Sequence, residues 1–401
     1  MAKEIINGNI VFIPDDGKYA YCKRMVLHVI LPQPEGSLGG SDTHVLSLSA
    51  EQKKNSKFAP VVLFRRNNSY RRMLEENGVA YIDGTHAKNL LSLAKSIKCI
   101  PSRLPICLIH SHQYSANYLT YLTKKLNRKS WGKIDTVMTC HGWIENNLCD
   151  RISTLCDFYT YRTAKGLIAV CSKDEQRLLK KVKGKLITCI RNGVDIPATV
   201  ERSMDVLAMK EKYNIPKDKI LLAIIGRLSP EKRIDIFIRF ANELLKVRND
   251  VCFLIVGKDN GDSRLRKLTV KLGIEKNIVF TGFIKEIDTI YAMIDILMLT
   301  SDTEGTPRVV LECMANRKSV IATNVGGVKE IIDNGVNGVL VEKGNFYSMA
   351  QTADELLNTL SCLEKQRNEA YKSIKQFFLI QTMQELIEKF YLNVLGGEEE
   401  K

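Results

Sequence analysis

Residues 224–233 read "IIGRLSPEKR", and the sequence changes at Gly226 from a strand-like pattern to a helix-like one. The residues before it are apolar and β-branched, as in a buried strand, whereas Ser229 and Pro230 are typical of the first positions of a helix. This predicts Lys232 in the first helical turn, where the helix dipole disfavours a cation. An anion shared by Arg227, Lys232 and the N–H groups of the turn would remove that conflict. The alternative is that both basic residues are simply solvated.

The same alternation of short apolar runs and helical patterns extends along most of the chain. Strands are predicted for "MVLHVIL" (25–31), "APVVLF" (59–64), "CLIHSH" (107–112), "DTVMTCHG" (135–142), "GLIAVCS" (166–172), "KILLAIIG" (219–226), "VCFLIVG" (251–257), "NIVFTG" (277–282), "IDILMLTS" (294–301), "SVIATN" (319–324) and "NGVLVE" (337–342). Such strands, separated by helices, are typical of parallel sheets covered on both faces. Two series of them predict an α/β protein of two doubly wound, Rossmann-like domains that face a central cleft. Ligands bind at the carboxyl ends of the strands in such sheets.

The two ends of the chain carry additional elements. At the N-terminus, Asn9–Pro14 and Lys18–Cys22 predict a hairpin with its turn at "DDG". A polar stretch after "RNGVDIP" (191–197) marks the domain boundary. The predicted organisation is a first domain of residues 1–200 with the extra hairpin in 1–24, a second domain of 201–372, and a C-terminal helix with a loose tail in 373–401.

Length and composition restrict the class of protein. The chain has 401 residues, enough for two domains, and a formal net charge of +14, which favours an anionic partner. Its eleven cysteines are scattered singly, which argues for a reducing compartment and against a disulfide framework or a zinc site of cysteines. No secretory segment or bilayer-spanning apolar run is apparent, so a cytoplasmic location is predicted.

Residues 304–315, "EGTPRVVLECMA", contain two acids among apolar neighbours. Thr306 is a plausible helix cap and Pro307 a plausible first helical residue, so that Glu304 lies in the loop before the helix. Glu312 lies about five residues past the start of the helix, which is roughly 7–8 Å along the helix axis from that start. With a phosphate at the helix N-terminus, Glu312 could reach a ribose and Glu304 a sugar beyond the phosphates. Carboxylates bind sugar hydroxyls well because one group accepts two hydrogen bonds. The alternative is a helix that turns Glu312 to solvent.

These motifs resemble those of the GT-B glycosyltransferases, specifically retaining glycosyltransferase family 4. The matching stretches are "GG" (39–40), "HG" (141–142), "RNGVD" (191–195), "GRLSPEKR" (226–233), "TGF" (281–283), "EGTPRVVLE" (304–312) and "NVGGVKEII…NGVNGVLV" (324–341). They occur in the family's order and cover nearly the whole chain. The most specific feature is the combination of "GRLSPEK" with the two-acid stretch that follows it.

The resemblance implies a role for each matching residue. Arg227 and Lys232 would hold the donor diphosphate, Glu312 the nucleotide ribose, and Glu304 the donor sugar. The other implied contacts are the backbone N–H groups near Thr306 and Arg308 at the sugar, Gly39 and Gly40 at the phosphates, His141 near the reacting centre, and Phe283 beside the base. The fold implied is GT-B, with the C-terminal helix packing back on the N-terminal domain.

The resemblance also bears on cofactors and metals. The donor would be a UDP- or GDP-linked sugar acting as substrate, and no cofactor is expected. No Asp-x-Asp triplet occurs in the sequence, so no metal site is expected. Arg227 and Lys232 would supply the positive charge that a metal otherwise brings.

Two basic clusters lie in the N-terminal half, "FRRNNSYRRM" (64–73) and "TKKLNRKSWGK" (123–133). Trp131 lies in the second and Tyr121 just before it, and both are aromatic residues suited to a membrane interface. Solvated faces are the simpler interpretation. Nucleic-acid binding is a rival one, but no reader motif accompanies the charge, and no nucleic-acid partner is expected.

The function predicted is transfer of a sugar from a nucleotide-sugar donor to an acceptor hydroxyl with retention of configuration. A lipid-linked or polysaccharide acceptor in cell-surface glycan or lipopolysaccharide assembly is expected, with peripheral contact at the inner face of an anionic cytoplasmic membrane. Two alternatives remain: another nucleotide-sugar enzyme of this fold, such as an epimerase or a phosphorylase, and a non-catalytic anion-binding protein.

Overall fold

The chain forms two compact units. One contains Met1–Asn192 and Ile380–Lys401, and the other contains Gly193–Leu379. The computed structural model describes residues 2–15, 17–20, 22, 24–32, 38–143, 148–197, 203–258, 263–285 and 287–397. The chain thus passes between units after Asn192 and after Leu379, where the sequence had suggested boundaries after residues 200 and 372.

A nine-stranded sheet forms the centre of the first unit. Its strands are β1 (Ala2–Ile6), β2 (Asn9–Ile13), β3 (Met25–Val29), β4 (Ala59–Phe64), β5 (Ala80–Asp83), β6 (Ile106–His112), β7 (Asp135–Cys140), β8 (Gly166–Ala169) and β9 (Leu186–Cys189). The order is β1-β2-β5-β4-β3-β6-β7-β8-β9. From β5 to β9 all neighbouring strands are parallel, and the direction of the order reverses between β3 and β6.

Helices connect these strands. They are α1 (Gly17–Ala20), α2 (Gly40–Asn55), α3 (Asn68–Glu76), α4 (Leu90–Ser96), α5 (Tyr114–Leu126), α6 (Arg128–Trp131), α7 (Leu148–Tyr161) and α8 (Ser172–Lys181), with a 3₁₀ turn at Ile97–Ser102. Trp131, expected from the sequence at a membrane interface, is buried in the core, where its ring N–H donates to the Ile97 carbonyl. That expectation was wrong because the basic residues around Trp131 cover an apolar side chain.

The N-terminal hairpin differs from the predicted one. Strand Asn9–Ile13 is present, but it pairs antiparallel with Ala2–Ile6, and residues 17–20 form a short helix. The turn is Asn7–Gly8, with φ of 48° and 83°. Asn-Gly is a strong signal for a two-residue hairpin turn, because both positions require positive φ. This signal outweighs the acidic turn expected at residues 15–17.

A six-stranded, fully parallel sheet forms the centre of the second unit. Its strands are β10 (Ile220–Ile225), β11 (Val251–Val256), β12 (Ile278–Gly282), β13 (Ile296–Leu299), β14 (Ser319–Thr323) and β15 (Val339–Val341), in the order β12-β11-β10-β13-β14-β15. Its helices are α9 (Ser203–Lys212), α10 (Ile234–Leu244), α11 (Ser263–Leu272), α12 (Ile287–Met293), α13 (Arg308–Ala315), α14 (Phe346–Asn358) and α15 (Leu360–Phe377), with 3₁₀ turns at Pro230–Lys232, Glu275–Asn277 and Val328–Glu330.

The strand order of the second unit reverses between β10 and β13, which is the position where doubly wound sheets bind ligands. Apolar side chains cover both faces of this sheet. Leu221 and Ala223 pack on one side, and Leu222 and Ile224 pack on the other, all of them buried. The prediction of two doubly wound α/β domains is therefore confirmed. Within the described part of the chain, no helix combines the length and the apolar character needed to cross a membrane.

The last helix, α16 (Ile380–Leu395), belongs to the first unit and packs against α2 and β7. The sequence predicted one helix over 373–395, but α15 ends at Phe377 and a new helix begins at Ile380. Tyr391 lies at the centre of the contact, where its hydroxyl is 2.6 Å from Nδ1 of His110. The expected return of the C-terminal helix to the N-terminal domain is confirmed.

We expect this packing to stabilise the first unit measurably. Ile387 is 1% exposed and its neighbour Leu386 is 46% exposed. Ile387→Ala should lower the free energy of unfolding by about 2–5 kcal/mol, because it leaves a cavity, whereas Leu386→Ala should change it by about 0.5 kcal/mol or less. Both tryptophans, Trp131 and Trp143, lie in the first unit, so urea unfolding followed by tryptophan fluorescence reports on it. Equal effects of the two variants would contradict this packing.

Candidate functional site

The segment after β10 forms a tight turn rather than the start of a helix. Pro230–Lys232 is a 3₁₀ turn, Arg233 has a left-handed backbone with φ of 50°, and α10 begins only at Ile234. Ser229, Pro230 and Lys232 take the predicted positions in a first helical turn, but this is a separate 3₁₀ turn because Arg233 interrupts the backbone before α10. The Ser229 hydroxyl does not cap the backbone but donates to the Glu231 carboxylate at 2.5 Å.

The exit of β13 holds this turn in place. The Thr300 hydroxyl donates to the Lys232 and Arg233 carbonyl oxygens at 2.8 and 3.0 Å. The Asp302 backbone N–H donates to the Glu231 carbonyl oxygen at 2.8 Å. These bonds join the ends of two strands that lie side by side in the sheet, so the two predicted motifs meet at the point where the strand order reverses.

Lys232 and Glu304 form an ion pair at this point. Nζ of Lys232 is 2.6 Å from Oε1 of Glu304, and the Ser301 hydroxyl donates to the same oxygen at 2.6 Å. The two side chains keep only 20% and 10% of their surface exposed. A contact of this length between charged groups is a strong, charge-assisted hydrogen bond. Since an ammonium has three donors, Lys232 retains capacity to bind an anion.

Arg227 belongs to the same turn. Its guanidinium is 3.4 Å from the Glu231 carboxylate, and more than a third of its side chain is exposed. Lys232 extends back across the end of β10, where its Cε would lie 3.9 Å from a Cβ atom on Gly226. The predicted cations Arg227 and Lys232 therefore both lie at the carboxyl end of β10.

Helix α13 carries the second acid. It begins at Arg308 rather than Pro307, and Thr306 is a buried loop residue rather than the cap. The Glu312 carboxylate accepts a hydrogen bond from the Tyr291 hydroxyl at 2.8 Å and one from Nε of Arg308 at 3.2 Å. Glu312 is therefore held by specific partners and not simply solvated.

Tyr291 was not predicted from the sequence. It lies on α12, 21 residues before Glu312, and no motif distinguishes it. Burial, and then the negative charge of Glu312, raise the pKa of Tyr291 well above its usual value, so that its hydroxyl stays protonated and donates. Arg308 was predicted for its backbone N–H, but its side chain also bonds the Gly193 carbonyl oxygen at 3.0 Å and thereby orients Glu312.

The "NVGG" segment supports the loop that carries Glu304. Gly326 has a left-handed φ of 52°, and a Cβ atom there would lie 1.8 Å from the Glu304 carbonyl oxygen. The Gly327 N–H contacts the carbonyl oxygens of Glu304 and Gly305 at 3.3 and 3.1 Å. This close approach of two backbone segments requires glycine.

The other predicted residues lie elsewhere. Phe283 is partly exposed and follows β12, two strands from β10. Gly39, Gly40 and His141 belong to the first unit. Gly39 precedes α2, and its N–H donates to the Asp42 carboxylate at 2.8 Å. His141 follows β7, with its Nε2 3.4 Å from Nδ1 of His112.

His110 and His112 are both fully buried on β6. Burial, and the charges of the neighbouring histidines, lower the pKa of each ring well below its usual value. Burial also lowers the pKa of His28 to about 4. These imidazoles are therefore neutral near pH 7.

Comparisons with known proteins agree with this geometry. The family model of glycosyl transferases group 1 matches residues 205–377, and that of Glycosyltransferase Family 4 matches residues 38–197. Anabaena HepE, solved in complex with UDP-glucose, matches with a TM-score of 0.78 over 92% of this chain and 99% of that chain, at 18% identity, which shows a shared fold. The chain has the GT-B fold, and each of its two units matches a family model of glycosyltransferases.

Two curated relatives of this GT-B chain illustrate the range of the family. The chain is 29% identical over 215 residues to the N-acetyl-alpha-D-glucosaminyl L-malate synthase of Bacillus anthracis, an alignment that covers 53% of the chain and 55% of the relative. It is 24% identical over 259 residues to the capsular polysaccharide biosynthesis glycosyltransferase CapM of Staphylococcus aureus, covering 63% and 66% respectively. The chain spans about half the length of the first curated relatives it matches.

Three carboxylates at this edge of the second unit's sheet have a basic partner. Glu231 contacts Arg227, and Glu304 contacts Lys232. Asp302 contacts Arg233 and Lys343, each at 3.3 Å. The acids therefore orient the cations, and the arrangement can stabilise an added anion through Arg227 and Lys232.

The glycine at 326 can be tested against a matched glycine. Gly335 also has a left-handed φ, of 81°, but a Cβ atom there would meet nothing within 4 Å. Gly335→Ala should lower the free energy of unfolding by about 1–2 kcal/mol, because of backbone strain alone. Gly326→Ala must in addition displace the Glu304 loop, so amide hydrogen exchange at residues 302–306 should accelerate in this variant only. Unchanged exchange in Gly326→Ala would contradict the close approach.

Proposed function

We propose that this protein transfers a sugar from a UDP- or GDP-linked donor to an acceptor hydroxyl, with retention of the anomeric configuration. The observation that carries the proposal is the Lys232–Glu304 ion pair at the reversal point of the second unit's sheet, with Arg227 on the same turn. Cations at this position suit a diphosphate, and an acid beside them suits sugar hydroxyls.

The diphosphate is assigned to Arg227 and Lys232. In a retaining transfer the leaving diphosphate gains charge as the glycosidic bond breaks, so fixed donors near its oxygens lower the barrier. Since Glu231, Asp302 and Glu304 each already have a basic partner, we infer that the reaction needs no divalent cation and no cofactor. Departure of the leaving group and attack of the acceptor take place on one face of the sugar, and the diphosphate takes the acceptor proton.

The nucleoside is assigned to Glu312. Tyr291 and Arg308 use part of the capacity of its carboxylate, but an ionised carboxylate offers about four lone-pair sites, which leaves acceptors for the two hydroxyls of a ribose. The fold shared with HepE, which was solved with UDP-glucose, supports this assignment. Gly39, Gly40, Thr306, Phe283 and His141 keep the donor-side roles implied by the family resemblance.

The acceptor is proposed to be a glycan or a lipid-linked glycan of the cell surface. The similarity to CapM, a protein of capsular polysaccharide biosynthesis, supports this class. We further propose that the protein works in the cytoplasm and contacts the inner face of the cytoplasmic membrane.

The basic clusters expected to provide that contact are partly used within the first unit. Arg65 donates to the Ala87 carbonyl oxygen, and Arg71 pairs with Asp83 at 3.3 Å. Lys124 donates to the Ile134 carbonyl oxygen at 2.6 Å. These side chains stabilise the fold, so they are less suited to lipid headgroups than their charge suggested.

Helix α7 presents a better membrane surface. Leu148, Ile152, Leu155 and Tyr159 recur at helical spacing, and all four are exposed. We call this set the α7 face. Apolar side chains arranged in this way on a helix are typical of interfacial binding.

Aromatic and basic residues continue the α7 face onto α5. The Tyr121 ring lies 5.6 Å from the Tyr159 ring and 6.3 Å from the exposed Tyr118 ring. Lys125 Nζ is 3.3 Å from the Tyr121 hydroxyl. Tyrosines beside a cation favour the headgroup region of an anionic bilayer.

The assignment of the two acids predicts different effects of two substitutions. Glu312→Gln should weaken binding of UDP or GDP about 10- to 150-fold, because a hydrogen bond to a charged group contributes about 1.5–3 kcal/mol. Glu304→Gln should leave that affinity nearly intact and reduce turnover of the intact donor. Calorimetry with UDP and GDP, together with a transfer assay, measures both effects. Equal losses of nucleotide affinity would refute the division of roles.

The α7 face predicts vesicle binding that a matched surface leucine does not affect. Leu155 is 69% exposed on α7, and Leu179 is 54% exposed on α8. Leu155→Ser should weaken binding to anionic vesicles about tenfold or more, whereas Leu179→Ser should not, and added salt should weaken binding of all forms. Co-sedimentation with vesicles measures this. Equal binding to neutral and anionic vesicles, or unchanged binding of Leu155→Ser, would contradict the proposal.

A further inference from the structure

Five of the six histidines of the chain lie together in the first unit. They are His28 on β3, His44 on α2, His110 and His112 on β6, and His141 directly after β7. Neighbouring rings in this cluster have centroids 4.1 to 5.6 Å apart. Only His141 is more than slightly exposed. The transfer reaction proposed above uses one of the five, so the other four call for a separate explanation.

Hydrogen bonds determine which nitrogens carry protons in part of the cluster. The Gln52 side-chain oxygen is 2.7 Å from His28 Nε2, and since an amide oxygen only accepts, this nitrogen carries the proton. His28 Nδ1 is then an acceptor and lies 3.2 Å from His112 Nε2, which must donate. The lone pair of His112 is therefore on Nδ1, the atom 3.4 Å from His141 Nε2.

Two sets of three histidines bring their ring nitrogens within 4.8 Å of one another: His28, His110 and His112, and His44, His112 and His141. The first set is occupied by other bonds. His110 has both nitrogens 2.6 Å from hydroxyls, Nδ1 from Tyr391 and Nε2 from Thr139. The second set contains the lone pair on His112 Nδ1 and the partly exposed His141, so it is the better candidate.

The spacing of two ligands in the second set suits a tetrahedral metal ion, and the nitrogen of the third, His44, lies within 4.8 Å of both. With zinc–nitrogen distances of about 2.0–2.1 Å, two ligand nitrogens lie about 3.3–3.4 Å apart. His112 Nδ1 and His141 Nε2 are already separated by 3.4 Å. Imidazole ligands prefer Zn²⁺, Cu²⁺, Ni²⁺ or Co²⁺ to Mg²⁺ or Ca²⁺, which prefer oxygen.

We propose that His44, His112 and His141 bind one transition-metal dication, of which Zn²⁺ fits best, with a fourth position open beside the partly exposed His141. Binding requires His141 to carry its proton on Nδ1, so that Nε2 faces the ion. The hydrogen bond from His112 Nε2 to His28 supplies the outer support that metal-bound histidines commonly have. This inference is argued within the first unit and does not depend on the proposed transfer.

The test uses the untagged full-length chain, stripped with EDTA and desalted. Calorimetric titration with Zn²⁺ should show one equivalent that His44→Ala and His141→Ala each lose. His86→Ala is the matched control, because His86 is the exposed sixth histidine and should keep the equivalent. Co²⁺ should give the intense visible absorption of a tetrahedral nitrogen site in the native chain and in His86→Ala. The melting temperature of the same two proteins should rise on addition of Zn²⁺. A cooperative thermal transition of each variant without Zn²⁺ confirms that it is folded.

Removing the hydrogen bond between His112 and His28 should give a partial loss of Zn²⁺ affinity. His28→Leu removes the acceptor for His112 Nε2 and should weaken Zn²⁺ binding about 10- to 100-fold without abolishing it. No Zn²⁺ binding by the native chain, or an equivalent retained by both His44→Ala and His141→Ala, would overturn the site. Transfer activity of the same stripped protein in excess EDTA is a separate measurement. It tests metal-independent transfer, so failure of one proposal is distinguishable from failure of the other.

Discussion

The pairing of β10 with β13 is the constraint on which the candidate donor site depends. Leu222 pairs with Ile296 and Ala223 with Leu297, in parallel register, so both strands end at the same edge of the sheet. The segments that follow them are far apart in the sequence, yet the Thr300 hydroxyl can bond the Lys232 carbonyl directly. The ladder contains no charged residue, and it nevertheless determines which charges meet.

Once the strands are in place, the charged side chains at this edge hold one another in position through ion pairs. Glu231, Asp302 and Glu304 each contact a basic group, and Ser301 adds a hydroxyl to Glu304. Ion pairs that are mostly buried need such additional hydrogen bonds, because taking both ions out of water is unfavourable. The result is a set of cations with fixed positions. A ligand phosphate would meet donors that need little rearrangement, which is the condition under which electrostatic stabilisation of a leaving group is effective.

Much of the fold follows from local sequence, because buried parallel strands are continuous apolar runs and are easily recognised. Each of the eleven apolar runs predicted for the two sheets contains a strand, whereas residues 18–20 of the predicted hairpin strand Lys18–Cys22 lie in a helix, and β1, β5 and β9 were not predicted. The meeting of Lys232 and Glu304 could also be predicted, since both follow strands of one sheet. Tyr291 and the cluster of histidines could not. Their partners are determined by strand order and helix packing, and the spacing of residues in the sequence indicates neither of these. Trp131 shows the converse error, in which charged neighbours concealed a core residue.

The second unit is one continuous segment, whereas the first is completed only by α16. Part of the first unit's core, including Val137 and Ile168, packs against Ile380, Ile387 and Val394 at the very end of the chain. The bond between His110 and Tyr391 spans 281 residues. During synthesis, which proceeds from the N-terminus, the second unit therefore has all of its residues before the first does. The nine strands of the first unit's sheet precede the second unit, but the core surface that α16 covers must stay open to water and to chaperones until α16 leaves the ribosome.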